Sequence, residues 1–375
     1  MKKILMLLAI SAILFAACSN DDDPEPIPPI SDELNGDITS EITLDASVTY
    51  RLTGTLSIKD GGVLNIPAGT TIKATKGFSS YVIVEQGGTI MAKGNSSAPI
   101  KFTSAEASPS AGDWGGIIIN GYAPISGPTE GTTGNTEVNE NIPYGGTVAD
   151  DNSGVLEYVI LENTGARSTE DVEHNGLTLN GVGNGTTINH IYVLDGADDG
   201  IEFFGGTVNV SNLLVVNPDD DMFDVTQGWS GTLSNAYGIW ENGYASTEDD
   251  PRGIEADGNL DGNGPDHVGQ SNFTIENVTI KNASDYIMED GIKIRRGATA
   301  TITNALIIGG SAKDIIDLTD SKSDANTNTA ISLTIDGTTF TGNEIKSNES
   351  YPDVAIVAGN TGATVSAFDW TGFSF

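Results

Sequence analysis

The sequence predicts an all-β chain wound as a single-stranded right-handed parallel β-helix, preceded by a signal peptide and a disordered tether. Three observations carry that expectation. From about residue 35 onward, short apolar and β-branched runs alternate with Gly, Asn and Asp turns, and helix-period patterns are almost absent. The runs resemble one another, which marks a solenoid. The cleanest step between equivalent runs, from Val210 to Leu233, is 23 residues, the length of one three-sided coil at about 3.3 Å per strand residue with turns between sides. A β-propeller blade is nearer 40 residues and antiparallel, a poor match.

The chain begins Met1-Lys2-Lys3, continues in an apolar run from Ile4 to Phe15 and ends that run in Ala16-Ala17-Cys18. These are the basic, apolar and small-residue parts of a secretory signal. The apolar part is too short for a membrane span, which needs about 20 residues. Phe15-Ala16-Ala17-Cys18 resembles a bacterial lipobox, which implies cleavage after residue 17 and acylation, palmitate included, of Cys18. Cys18 is the only cysteine, so no disulfide framework exists. Ser19-Asn20-Asp21-Asp22-Asp23 is similar to the surface-export signal of lipoproteins in some Gram-negative lineages, and a plain acidic spacer is the other reading. Pro24, Pro26, Pro28 and Pro29 make a stiff extended tether. The expected layout is a signal peptide over 1–17, an acylated tether over 18–32 and a β-helix over 33–375, with loops inserted at about 127–150 and 241–270. The expected address is an outer membrane, reached through the lipid anchor and facing the cell exterior.

Without Lys2 and Lys3, fifteen basic residues stand against 52 acidic ones, a net charge of about −37. Such a charge repels nucleic acid and anionic surfaces and disfavours acidic polysaccharides unless cations intervene. No nucleic-acid partner is expected.

Two series of repeats define the coil. In the first, Asn212, Asn235, Asn277 and Asn304 each follow an apolar and then a polar residue and precede an apolar one, and they are expected to stack at an inward-turning corner as a structural ladder with His190 in the same position. In the second, Gly176-Leu177-Thr178-Leu179, Gly200-Ile201-Glu202-Phe203, Met222-Phe223-Asp224-Val225, Gly253-Ile254-Glu255-Ala256 and Gly291-Ile292-Lys293-Ile294 line another side. Alternation turns Ile201, Phe223, Ile254 and Ile292 inward and sets Thr178, Glu202, Asp224, Glu255 and Lys293 in an outward row.

The run Gly112-Asp113-Trp114-Gly115-Gly116-Ile117-Ile118-Ile119-Asn120-Gly121, followed by Ala123-Pro124-Ile125, resembles a hallmark of bacterial secreted β-helix lipoproteins of uncharacterised function. The segments Asn152 to Val159, Asn175 to Leu179, Asp198 to Thr207, Asp219 to Trp229 and Arg252 to Glu255 match the same family. The resemblance spans about residues 50 to 310 and implies a fold and an extracellular setting, with no activity to carry over.

The sequence's best candidate site is acidic. Asp198, Asp199 and Glu202 on one coil align with Asp220, Asp221 and Asp224 on the next, and Glu255 continues the row. At about 4.8 Å between coils, such crowding needs neutralisation. Ca2+ fits the oxygen-rich set; splaying into water, or pairing with Arg252, Lys293 and Arg295, is the structural reading. The Gly- and Asp-rich stretch from Asp257 to Asp266 is a lesser second candidate. Paired aspartates at 198–199 and 220–221 are similar to those of β-helix glycosidases that cut pectin, but the Gly-His-Gly and Arg-Ile-Lys motifs of those enzymes are missing. In calcium-dependent β-helix lyases an Arg or Lys base stands beside the metal, a role open to Lys293, Arg252, Arg295 or Arg296. His174, His190 and His267 have no metal or triad spacing. Trp240 and Tyr244, at the start of the 241–270 insertion, are the expected sugar-stacking residues, while Trp114 and Trp229 suit packing. The last residues, from Ala367 to Phe375, are expected to cap the final coil. The leading expectation is a non-catalytic surface protein for adhesion or glycan binding, braced by calcium. The alternatives are a polysaccharide lyase or glycosidase and a structural surface-layer protein.

Overall fold

The structure is a computed structural model that describes residues 31–375 except 170 and 171. The expected signal peptide, Cys18 and the expected tether through Pro29 lie outside the described residues. Among those described, no helix is long and apolar enough to cross a membrane.

Among the described residues, twenty-five strands join one continuous sheet whose ladders are all parallel, the geometry of a right-handed parallel β-helix. A typical coil has a long strand bent in its middle and then a short one. Asn209–Val216 is followed by Phe223–Thr226, and one coil on Thr232–Trp240 is followed by Ile254–Asp257. Val210 pairs with Leu233 in register, so the 23-residue repeat is one turn of the helix. A single apolar core runs from Leu34 to Val354, with Trp229 stacked between Phe203 and Phe273.

The coil turns its corners through left-handed backbone. Tyr158, His190, Asn212, Asn235, Asn277 and Asn304 bend the long strands at φ of 51° to 57°. Asn tolerates this conformation better than most L-residues because its short polar side chain bonds locally. The amide ladder is present, with Asn235 Nδ2 donating to Asn212 Oδ1 at 2.7 Å and Asn304 Nδ2 to Asn277 Oδ1 at 2.8 Å. Its position differs from expectation. The four Asn side chains are half-buried on the outside of the corner, where the C-terminal segment covers them: Thr364 N donates to Asn235 Oδ1 and Thr361 N to Asn304 Oδ1. A left-handed residue between two strands turns its side chain away from the core that both strands flank. Asn163, Asp195 and Asn217 form a second left-handed corner that the repeats did not reveal.

The C-terminal residues do not sit on the final coil. They run back across earlier coils, setting Trp370 against Tyr158 and His190, Phe373 against Tyr192 and Phe375 against Tyr237. Outward-facing Ile160, Tyr192, Leu214 and Tyr237 form an apolar stripe that Phe368 helps to cover, and burial of that stripe places the segment.

Both insertions hold strands. The first contains the antiparallel hairpin Gly134–Thr136 with Asn139–Tyr144. The second is interrupted by Ile254–Asp257, which pairs in the main sheet, so 241–270 is two loops on either side of a core strand. Ile254 and Ala256 point into the core, and that apolar pair ties the strand down.

Candidate acidic cleft

The outward row of the short-strand side is in continuous register. Thr178 pairs with Glu202, Glu202 with Asp224, Asp224 with Glu255 and Glu255 with Lys293. The turn before each short strand brings the next column. Asn175, Asp199, Asp221 and Arg252 stand at equivalent places, three of them followed by Gly176, Gly200 and Gly253. A Cβ on Gly200 would meet Val215 Cγ1 at 2.3 Å and the carbonyl oxygen of Met222 at 2.8 Å, so only glycine lets the backbones approach so closely there. In that column each carboxylate is tied to the next coil: Asp221 N donates to Asp199 Oδ1 at 2.9 Å and Arg252 N to Asp221 Oδ1 at 2.6 Å.

The row and the turns floor a cleft of about 370 Å³. Asp198, Asp199, Glu202, Asp220, Asp224 and Glu255 all line it; Asp221 lies beneath, 3% exposed. The carboxylates form three overlapping triads, Asp198–Asp199–Asp220, Asp199–Glu202–Asp224 and Asp221–Asp224–Glu255, whose oxygens lie within 4.8 Å of one another. Among the described residues, no cationic nitrogen lies within 4.0 Å of Asp198, Asp199, Glu202, Asp220, Asp221 or Asp224. Burial, reinforced by neighbouring carboxylates, pushes Asp198, Asp199, Glu202, Asp221 and Asp224 well above the usual carboxylate range. Burial and Glu255 push Asp220 up to about 7.

Glu255 differs, because Arg252 Nη1 and Arg295 Nη2 hold its two oxygens at 2.7 and 2.6 Å. Against the cost of burial, Glu255, Asp221 and Asp250 keep the Arg252 guanidinium charged. Arg295 also bonds Asp257 at 2.7 Å, and Arg296 bonds Asp257 at 2.6 Å. Asp257 is therefore committed to an ion-pair network, and the Asp257–Asp266 stretch assembles no carboxylate cluster among the described residues. Lys293 points along the row to Asp317, 2.6 Å away. The residues that sequence reasoning offered as a lyase base are thus each engaged by buried carboxylates, and none lines the cleft.

The expected sugar-stacking pair is also placed elsewhere. Trp240 is 0% exposed, its Nε1 donating to Pro218 O at 2.9 Å, and it leaves no face for a ligand. Tyr244 is half-buried, stacks near Trp240 and donates to Pro218 O at 2.8 Å. Their shared task is to dock the loop that follows, which Asp219 secures by accepting from Thr247 N at 2.8 Å. Trp114 and Trp229 are buried in the core.

Several cleft residues escaped the sequence reading. Asn175 and Asn180, 3% and 2% exposed, line the cleft with Oδ1 atoms that have no hydrogen-bond partner. The column of residues preceding glycine was the signal for Asn175. Val138, Glu137 and Tyr144 arrive from the hairpin and Leu260 and Asp261 from the loop after Asp257, with no repeat to announce them.

Fold and cleft together define a class, a parallel β-helix carrying an acidic cleft on one outward side. The chain belongs to the pectate-lyase-like β-helix domain family, whose model matches residues 36–370. A search of curated proteins finds no significant match. Among solved structures the chain is similar to the catalytic domain of a GH87 α-1,3-glucanase in complex with tetrasaccharides, at 15% identity and a TM-score of 0.37 over 88% of this chain and 69% of that one. A nigerose complex of the same catalytic domain gives 14% identity and a TM-score of 0.33 over the same shares. At these values the likeness says nothing about activity.

Proposed function

We propose that the protein is a lipid-anchored surface protein whose acidic cleft holds calcium and binds a glycan. The observation that carries this reading is the set of three overlapping carboxylate triads in which, among the described residues, every member except Glu255 is without a counter-cation. Two oxygens bound to one calcium ion at 2.3 to 2.6 Å lie at most about 5 Å apart, and the triad oxygens meet that limit. Among the described residues the lining offers carboxylates and amide oxygens and no His or Cys, a set suited to a hard cation and not to zinc. Glu202, Asp224 and Asp199 would hold the ion, which supplies positive charge and open positions for sugar hydroxyls. Anchoring through Cys18 and outward display rest on the lipobox, the acidic run and the proline tether.

Calorimetric titration of the chelated protein with calcium tests the reading. A stoichiometric heat lost in Glu202→Gln and Asp224→Asn supports it; no heat, together with a melting curve indifferent to chelator, overturns it.

A second reading is favoured by the position of Asp220. A carboxyl near neutral pKa beside other carboxylates is the pattern of an acid and base pair for glycosidic hydrolysis. Release of reducing ends from a neutral glycan panel, lost in Asp220→Asn, would make hydrolysis the better description.

A further inference from the structure

The outward row does not remain open along the helix. N-terminal to Thr178 its members are Ile118 and Ile83, register partners that face away from the core yet are 1% and 0% exposed. Ile142 and Val138 of the hairpin cover them. The hairpin is pinned from three sides: Asn120 Nδ2 donates to Thr136 Oγ1 at 2.6 Å and to Pro143 O at 3.1 Å, Gln86 Nε2 donates to Gly145 O at 2.9 Å, and Tyr144 OH donates to Gln227 Oε1 at 2.5 Å. At the opposite end Arg252 and Arg295 clamp Glu255, and the loop bearing Leu260 and Asp261 closes over, held by Lys322 Nζ on Asp261 O. What remains is a pocket three coil steps long, roughly 14 Å, with a volume at the lower end of small-molecule sites. A polymer cannot run through it.

The lining also constrains charge. Among the described residues it contains no Lys, Arg or His, and its buried unpartnered atoms include the acceptors Asn175 Oδ1, Asn180 Oδ1 and Asp220 Oδ1. A buried acceptor without a donor is costly, so the fitting ligand brings hydroxyl hydrogens. The acidic side chains of the lining outnumber the charge of one divalent ion, so even with calcium bound a sugar carboxylate would add to a negative excess.

We propose that the pocket takes the terminal residue of an uncharged glycan chain, end-on, with the hairpin as the wall that excludes internal segments. The proposal rests on the glycan reading of the cleft. It predicts that one protein binds per chain end whatever the length of the chain.

The test is calorimetry of the full chain, with calcium present, against neutral hexo-oligosaccharides of differing linkage from disaccharide to polymer, with a uronate series alongside. Expected are one protein per glycan chain, affinity per chain constant to within about twofold beyond the shortest binders, and uronates at least about tenfold weaker. A variant with residues 134–144 replaced by a short Gly-Ser turn is expected to gain several sites per long chain; should it not fold, the wild-type stoichiometry decides alone. Stoichiometry that grows with chain length in the wild type would overturn end-on binding and leave the glycan reading intact. Uronates bound as tightly as neutral sugars would overturn the charge selection. Absence of binding to every length and type would remove the glycan reading and this proposal with it.

Discussion

Glu202 and Asp224 are register partners on neighbouring coils, and a carboxylate oxygen of each lies within 4.8 Å of the other. Two carboxyls so placed need a proton or a cation between them. Most of the cleft's expected behaviour follows from that requirement.

Stability of the calcium-free chain should rise on acidification. Folding raises these carboxyls above their unfolded values, so their favourable contribution is complete below the ordinary carboxylate range, near pH 4, and is lost as pH climbs through the folded values, about 7 for Asp220. A melting temperature higher at about pH 5 than at about pH 8 in chelator, with the difference reduced by calcium, is the expected result. A flat profile in chelator would contradict it.

Asp224→Asn should stabilise the chelated protein and weaken its response to calcium. The substitution removes one charge from a buried cluster while keeping shape and hydrogen-bonding capacity. Urea denaturation with and without calcium should show a gain of about 1–2 kcal/mol in chelator and a smaller calcium increment than in the wild type.

Arg295→Ala should destabilise the protein by about 3–5 kcal/mol, the cost of breaking a buried ion pair. It leaves a Glu255 oxygen without its guanidinium and removes one of the two arginines on Asp257. Denaturant midpoints measure this directly, and a loss under 1 kcal/mol, the scale of an exposed pair, would refute the network.

At the outer ladder, Asn235→Ala should cost about 1–2 kcal/mol, since alanine resists the left-handed backbone and drops the bonds to Asn212 and Thr364. Asn235→Gly should cost less, because glycine accepts the conformation. Equal losses would show that the side-chain bonds and not the backbone dominate.

Trp240→Ala should cost about 3–5 kcal/mol as a core truncation while leaving glycan affinity per folded molecule unchanged. Affinity loss without destabilisation would return Trp240 to a binding role.

The coil was legible because it repeats. Val210 and Leu233, or Glu202 and Asp224, are one period apart, and a period-2 strand pattern assigns inside and outside without further information. The acidic stack was legible for the same reason. The hairpin, the C-terminal segment and the fate of the arginines were not. Tyr144 meets Gln227 and Thr364 meets Asn235 across 83 and 129 residues, and no local pattern encodes such pairs. Trp240 was misplaced because an aromatic opening a long insertion has the same sequence signature whether it anchors the loop or faces solvent.

By itself the sequence determined the parallel β-helix, its period and the row of carboxylates on one side, because these follow from backbone geometry applied identically to every coil. Only the tertiary structure decided which carboxylates stay without cations, which arginines are spent on Glu255 and Asp257, and that a hairpin closes the end of the row. Those outcomes depend on where non-repeating segments come to rest, and burial of apolar surface such as Ile83 and Ile118 sets that place.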